Sequence, residues 1–302
     1  MFGDDVFVAS EDVAGWDLFP EGGEMVGVPY HTNRWRMRGP DYEETRPAGV
    51  RRIIVAGDST PFGHGLTWDE TFTAVLTHLR EQRFPEVTYE SANCAVPGHT
   101  TFQTIEKLRW QCLAFEPDLV VIGNQFCDAT LVEQPDREIL LKNRYVPPDP
   151  RLEHLALFRL MRNLYLRLFA YDDGLGSVVQ MGHIRPVPVH EGGVLRVSHE
   201  EFDANLREEI KLVRAAGARP VLLVLPTDFD LGGGQPLPIH VRYREIIHEV
   251  GESEGVTVVD AVPTFNDLPV VGTFFIDSYH PAPMGARIIG QLIDEALGDQ
   301  AP

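Results

Sequence analysis

Residue types that together perform acyl-transfer chemistry sit near opposite ends of this chain. Ser59 follows the run Arg51-Arg52-Ile53-Ile54-Val55-Ala56-Gly57-Asp58, and Asp277 and His280 lie in Asp277-Ser278-Tyr279-His280-Pro281. A serine hydroxyl is a weak nucleophile until a histidine removes its proton, and the histidine works best when a carboxylate fixes its tautomer. A spacing of three residues puts Asp277 and His280 on one side of a turn. Asp277 can then accept the Nδ1 proton of His280 while Nε2 faces Ser59. Alone, Gly-Asp-Ser reads as a turn or helix cap, and Ser59 as an N-cap. The joint placement carries the signal: Gly-Asp-Ser directly after the first strand, a glycine after the second, and Asp-x-x-His-Pro just before the last helix.

The elements that must position these residues follow from hydrophobic patterning. From Arg51 onward, short apolar runs alternate with longer periodic segments, the signature of parallel strands joined by helical crossovers. Strands are predicted at Ile53 to Ala56, Val87 to Ala92, Leu119 to Ile122, Val221 to Leu225 and Val256 to Val259. Leu119 to Ile122 is continuously apolar, as in a central strand buried on both faces. Helices are predicted from Trp68 to Arg83, Thr101 to Phe115, Ser198 to about Gly217, Ile239 to Glu252 and Pro283 to Leu297. Ser198 and Glu201 have the Ser-x-x-Glu spacing of a capping box. The expected fold is a three-layer α/β/α sandwich around a five-stranded parallel sheet. A buried strand that stops at Gly57 presents the next side chains at the carboxyl edge of that sheet, where open α/β sheets place their active sites.

Residues 1–48 read as an irregular lead-in rich in Gly, Pro and charge, and 49–302 as one domain carrying an insertion at about 129–197. Within the insertion, a helix from His154 to Tyr171 has an apolar stripe interspersed with arginines. Such a stripe usually packs on a core or a partner subunit, and a lipid-facing lid is the alternative. The Gly232-Gly233-Gly234 loop lacks the Lys-Ser/Thr of a phosphate loop.

Composition narrows the partners. A net charge of -19 and a pI near 4.9 argue against a binder of nucleic acid, which needs clustered Lys and Arg. No run reaches the roughly 18 apolar residues of a membrane span, and the acidic first residues do not read as a signal peptide, so a cytoplasmic location is expected. Cys94, Cys112 and Cys127 are odd in number, without CxxC or zinc-type spacing; neither a disulfide framework nor a metal site is expected, and a reduced compartment fits. Asp58 is read as a shaper of the nucleophile loop or a surface acid. His64 and His99 are loop histidines that could contact substrate. Cys127, with no histidine near it in sequence, reads as a small buried side chain.

Over Arg51 to Leu297 the chain resembles the SGNH hydrolases, the GDSL esterase/lipase family. The first block matches as Gly57-Asp58-Ser59 with Gly63 and Gly65 following, the second as Asn93-Cys94-Ala95-Val96-Pro97-Gly98, and the last as Asp277 and His280. Asn33-Arg34-Trp35-Arg36-Met37-Arg38-Gly39-Pro40 is similar to the segment that precedes the first block in many bacterial members. The resemblance implies a flavodoxin-like sheet and oxyanion donors from the backbone of Ser59 and Gly98. The third block departs from the family's Gly-x-Asn-Asp: the chain reads Ile122-Gly123-Asn124-Gln125-Phe126-Cys127-Asp128. Either Cys127 stands where the asparagine donor is expected, or Asn124 reaches the oxyanion by another loop path. A thiol is a poor donor, and losing one oxyanion donor costs on the order of 3 to 4 kcal/mol.

The expected activity is hydrolysis of a small or medium carboxylic ester, with small acyl, lipid and O-acetyl carbohydrate esters as substrate classes and no cofactor or metal. A carbohydrate O-acyltransferase and a catalytically weak module of the same fold are the alternatives. A flavodoxin-like nucleotide binder would explain the sheet but leave Asp277 and His280 without a role.

Overall fold

A computed structural model describes residues 7–9, 16–18, 21–43, 45–138 and 186–299, with isolated positions 157 and 161. The expected helix at 154–171, and most of the 129–197 insertion, lie outside the described residues.

The lead-in holds four short strands, β1 (Phe7–Ala9), β2 (Trp16–Leu18), β3 (Gly23–Met25) and β4 (Val28–Tyr30), paired antiparallel as β1–β2 and β3–β4. The main sheet follows. Its strands are β5 (Val50–Gly57), β6 (Thr88–Asn93), β7 (Leu119–Gly123), β10 (Arg219–Val224) and β11 (Thr257–Asp260), all parallel, in the order β11-β10-β7-β5-β6. Between them, β8 (Leu131–Val132) and β9 (Val194–Leu195) pair antiparallel at the base of the insertion. The helices with both ends among the described residues are α1 (Ser59–Phe62), α2 (Phe72–Arg83), α3 (Thr101–Trp110), α4 (His199–Ala215), α5 (Pro238–Glu254), α6 (Val262–Asn266) and α7 (Pro283–Leu297).

The apolar runs of the central strands alternate between two cores. Ile54, Ala56, Val120, Ile122, Leu222 and Val224 face α3, α4 and α5, packing with Leu108, Phe202, Leu206, Tyr243 and Ile247. Ile53, Val55, Leu119, Val121, Val221 and Leu223 face α2, α6 and α7, packing with Phe72, Leu76, Phe265, Ile289 and Ile293. Both faces of the sheet are therefore covered, which is why these strands read as continuous apolar runs. The sandwich and the five-stranded parallel sheet agree with the sequence expectation.

Two expected helices are interrupted. The segment from Trp68 begins as a 3-10 turn (Trp68–Glu70) and restarts at Phe72, because the Thr71 side chain accepts from Ala74 N–H and caps α2. The segment from Thr101 ends at Trp110 and continues as a 3-10 turn over Cys112–Phe115. That turn carries a correction to the cysteine reading. Cys112 is joined to Cys94, which follows β6, by a disulfide with Cα atoms 6.2 Å apart. The pairing removes the cysteine-count argument for a reducing compartment. Among the described residues no helix is long and apolar enough to cross a membrane.

Candidate active site

The chain runs from central β5 to β6 on one side and then to β7 on the other, so β5 borders the point where the strand order reverses. At such a point the loops leaving adjacent strands splay apart and open a crevice. Ser59, Asn93 to Gly98 and Asn124 to Asp128 all leave the carboxyl ends of these three strands.

Ser59 opens the four-residue turn α1, so its backbone N–H has no intrahelical acceptor. The turn starts abruptly because Gly57 has φ +143°, and a Cβ there would lie 2.7 Å from the Gly123 carbonyl oxygen. Asp58 is not a surface acid. It is wholly buried; one carboxylate oxygen accepts from Thr60 N–H at 3.0 Å, and the other accepts from Phe126 N–H at 3.2 Å and Cys127 N–H at 3.3 Å. Burial pushes its carboxyl above the usual range, against the N–H bonds that favour its charge. Asp58 thus ties the turn carrying Ser59 to the third block.

The second block and the lead-in hold the same turn from outside. The Asn93 carboxamide donates to the Pro61 carbonyl at 2.7 Å and accepts from Ala95 N–H at 3.0 Å. Arg38, buried under the sheet edge, pairs its backbone with Asn93 and donates from its guanidinium to the carbonyls of Phe62 and Gly63 at 2.9 Å, and to that of Leu66. Burial lowers its pKa to about 10. A polar segment of a lead-in gives no sign of this; only the Asn33–Pro40 similarity singles the segment out.

Asp277 and His280 sit in a tight turn before α7. Ile276 N–H donates to the His280 carbonyl at 2.8 Å, and the Asp277 carboxylate accepts from Tyr279 N–H at 2.8 Å and His280 N–H at 2.9 Å. The same carboxylate lies 2.7 Å from His280 Nδ1, and His280 Nε2 lies 2.7 Å from Ser59 Oγ. Partial burial raises the Asp277 carboxyl, but the hydrogen bond and charge of His280, with the two backbone N–H groups, outweigh it and hold the group well below the usual carboxylate range. Thr60 Oγ1 donates to the Tyr279 carbonyl at 3.3 Å and links this turn to α1.

Gly98 has φ +80°, and its carbonyl accepts from buried Arg196 at 2.9 Å; Arg196 is held by Asp136 through contacts of 2.8 and 2.7 Å. Asn124 is buried, with both carboxamide atoms closed to solvent and unbonded to any described residue. Cys127 keeps partial exposure, and burial and the Asp58 charge push its thiol well above the ordinary range. Asp128 turns inward: it accepts from Thr101 N–H at 3.0 Å and Thr101 Oγ1 at 2.6 Å, and burial raises its pKa to about 7.

His99 is buried within its loop, whereas His64 lies against His280, a neighbourhood that sequence does not foresee. His64, Asp277 and His280 bring ligand-type atoms within 4.8 Å of one another, the spacing of a loose metal-ligand set. Both nitrogens of His280 are engaged, Nδ1 with Asp277 and Nε2 with Ser59 Oγ, so a metal in that set would displace one of these contacts.

No family model matches the chain, and no curated protein does. Solved structures do. An α/β hydrolase enzyme from the metagenome of Lake Arreo, Spain, matches with a TM-score of 0.53 at 16% identity, over 83% of this chain and 97% of that one. An acetylxylan esterase from Geobacillus stearothermophilus matches with a TM-score of 0.53 at 15% identity, over 82% and 94%. A protein described as a GDSL-like lipase, from Parabacteroides merdae, matches with a TM-score of 0.51 at 14% identity, over 83% and 96%. The chain has the α/β fold of the SGNH, or GDSL-type, esterases and lipases.

Proposed function

We propose that this protein is a serine esterase of SGNH type. The observation that carries the reading is the continuous relay Ser59 Oγ, His280 and Asp277, with both links at 2.7 Å. In this reading Ser59 Oγ attacks the ester carbonyl while its proton passes to His280 Nε2. The alcohol leaves with that proton, and water, deprotonated by the same nitrogen, releases the acid from Ser59. Asp277 keeps the proton on Nδ1 and stabilises the imidazolium.

The backbone N–H groups of Ser59 and Gly98 receive the developing oxyanion. The third block contributes little to it: the Asn124 carboxamide is closed to solvent, and Cys127 offers only a thiol. Residues 49–302 act as one catalytic unit, with the lead-in as a strap across its edge. The substrate is a carboxylic ester of small or medium size. Structural neighbours named as acetylxylan esterases support an O-acetyl carbohydrate, and the GDSL-like lipase among the neighbours keeps a lipid ester beside it. Transfer of the same acyl group to a sugar hydroxyl is the closest variant.

The weakened third block also supports a second reading, a slow or inactive module that binds such an ester without turnover. Two assays separate these readings: hydrolysis of p-nitrophenyl esters of increasing acyl length by wild type and Ser59→Ala, and labelling by a fluorophosphonate. The esterase reading expects turnover and labelling, both lost in the variant. A folded wild type that neither turns over nor labels overturns it.

A further inference from the structure

His64 has no part in the steps above, yet it is among the residues most tightly held around Ser59. Its backbone N–H donates to the Ser59 carbonyl at 3.2 Å, so the residue rides on the nucleophile turn. Its ring stacks on that of His280, with centroids 4.2 Å apart and planes 28° from parallel, and only 7% of the residue is exposed.

The loop around it is rigid for identifiable reasons. Gly63 (φ +79°) and Gly65 (φ +73°) flank it in the left-handed region, which turns the chain back over His280. A Cβ at Gly63 would lie 2.7 Å from Thr71 Cγ2, and one at Gly65 2.9 Å from Ile276 Cδ1, so the loop is wedged between the start of α2 and the turn that holds Asp277. Arg38 secures the carbonyls of Phe62 and Gly63 before the ring and of Leu66 after it.

His280 needs such support. Its carboxylate partner is half exposed, with 49% of the Asp277 side chain open to solvent, and a single hydrogen bond in that setting leaves the ring free to swing. An imidazole held only by Asp277 and by the hydroxyl it must deprotonate could rotate off Ser59. A flat, fixed wall on one ring face prevents this without competing for either nitrogen. A neutral ring also offers its π face to the imidazolium that forms when His280 takes the proton. Burial, then the His280 charge, lower the His64 pKa to about 4, so the wall stays uncharged at neutral pH.

We propose that His64 is a positioning residue, a buried aromatic wall that holds the His280 ring in line with Ser59. The proposal rests on the serine-esterase reading for its kinetic consequence but not for its structural one. The groups at hydrogen-bond distance from the His280 ring are Asp277 and Ser59, and His64 is the aromatic ring stacked on it among the described residues.

The test compares wild type, His64→Ala and His64→Phe by ester hydrolysis, fluorophosphonate labelling, thermal melting and the downfield proton resonance of His280 Nδ1–H. His64→Ala is expected to lower kcat about 30-fold with KM within about threefold, as a misplaced catalytic group does. Labelling should slow in parallel, and the downfield resonance should broaden. His64→Phe, which keeps the ring and discards the nitrogens, should restore all three to within about threefold of wild type. A folded His64→Ala with unchanged kcat and a sharp resonance overturns the proposal, as does a folded His64→Phe no better than the alanine variant. If wild type shows no turnover, the esterase reading has failed separately, and the resonance in the three proteins still decides whether His64 positions His280.

Discussion

Asp58→Asn removes one charge and reverses one end of a buried hydrogen-bonding group, and its effect follows from the three N–H groups that the carboxylate accepts. With the amide oxygen toward Thr60, the new NH2 group confronts the N–H groups of Phe126 and Cys127, leaving two buried donors without acceptors. With the amide flipped, those two are served and Thr60 N–H is orphaned instead. Each buried donor left unsatisfied costs about 1 to 3 kcal/mol. Against this stands the relief of removing a carboxylate that burial disfavours, which the raised pKa of Asp58 records. That relief offsets part of the loss, since burial outweighs the N–H bonds that favour the charged form.

The flipped amide leaves only Thr60 N–H unserved, so the net expectation is a loss of about 1 to 3 kcal/mol. For a domain of this size that corresponds to a fall in Tm of roughly 2 to 9 °C. Activity should fall further than stability implies. Whichever way the amide turns, the link from Thr60 to Phe126 and Cys127 loses one of its ends, so the turn carrying Ser59 can drift by a fraction of an ångström, and kcat should drop about 100-fold with KM little changed. The assays are thermal melting and chemical denaturation at neutral pH, beside steady-state ester hydrolysis well below the melting range. A variant melting within 2 °C of wild type, with kcat within a factor of about three, would refute the claim that Asp58 joins the first and third blocks.

Glu209 in α4 is wholly buried, and both its carboxylate oxygens lack a hydrogen-bond partner among the described residues; burial, then the Asp128 charge, raise its pKa well above 4.5. Its contribution to stability is therefore full below the ordinary carboxylate pKa and lost as pH rises. Glu209→Gln should match wild type near pH 4 and melt several degrees higher at pH 8, at roughly 2 °C per kcal/mol recovered; a difference that does not change with pH refutes this. If Cys127 stands where the proposed oxyanion donor belongs, Cys127→Asn should raise kcat about 10- to 100-fold at similar KM, checked against a melting curve showing the variant folded; an unchanged kcat in a folded variant refutes that placement. Replacing Cys94 and Cys112 together with alanine opens a closed loop with a sequence separation of 18, and should lower stability by about 3 kcal/mol in non-reducing melts. Equal melting of the two proteins would show that the bond contributes nothing.

What could be read from sequence, and what could not, divides along physical lines. The strands were legible because a parallel sheet covered on both faces imposes continuous apolar runs, as at Leu119–Gly123. The last helix was legible at both ends, since Pro283 fits its first turn and Gly298 follows its last residue. The break at Thr71 was hidden because the apolar spacing runs on past it, while the capping bond that causes it depends on one side-chain rotamer. The Cys94–Cys112 pairing has no spacing signature; it exists because the 3-10 turn after α3 packs beside the end of β6. Ser59, Asp277 and His280 stood out because their chemistry requires specific residue types in a specific order along the sheet. Asp58 was legible only as a loop shaper or a surface acid, His64 only as a loop histidine that could contact substrate, and Arg38 only within the Asn33–Pro40 segment; which neighbour each meets is set by tertiary structure.

Those three share a geometry. Arg38 binds the carbonyls that follow Ser59, Asp58 binds N–H groups on both sides of the crevice, and His64 covers one face of His280. Arg38 and Asp58 hold backbone and His64 holds a side chain, none of them substrate, so the side chains of the third block can change while the fold around it persists. The two roles of that block fall on different atoms. Its main-chain N–H groups at Phe126 and Cys127 serve Asp58 whatever the side chains are, whereas an oxyanion donor would have to come from a side chain alone. On the proposed esterase reading, with Cys127 at the asparagine's place, the substitution would withhold an oxyanion donor without loosening the turn that carries Ser59, which stays 2.7 Å from His280 as His280 stays 2.7 Å from Asp277.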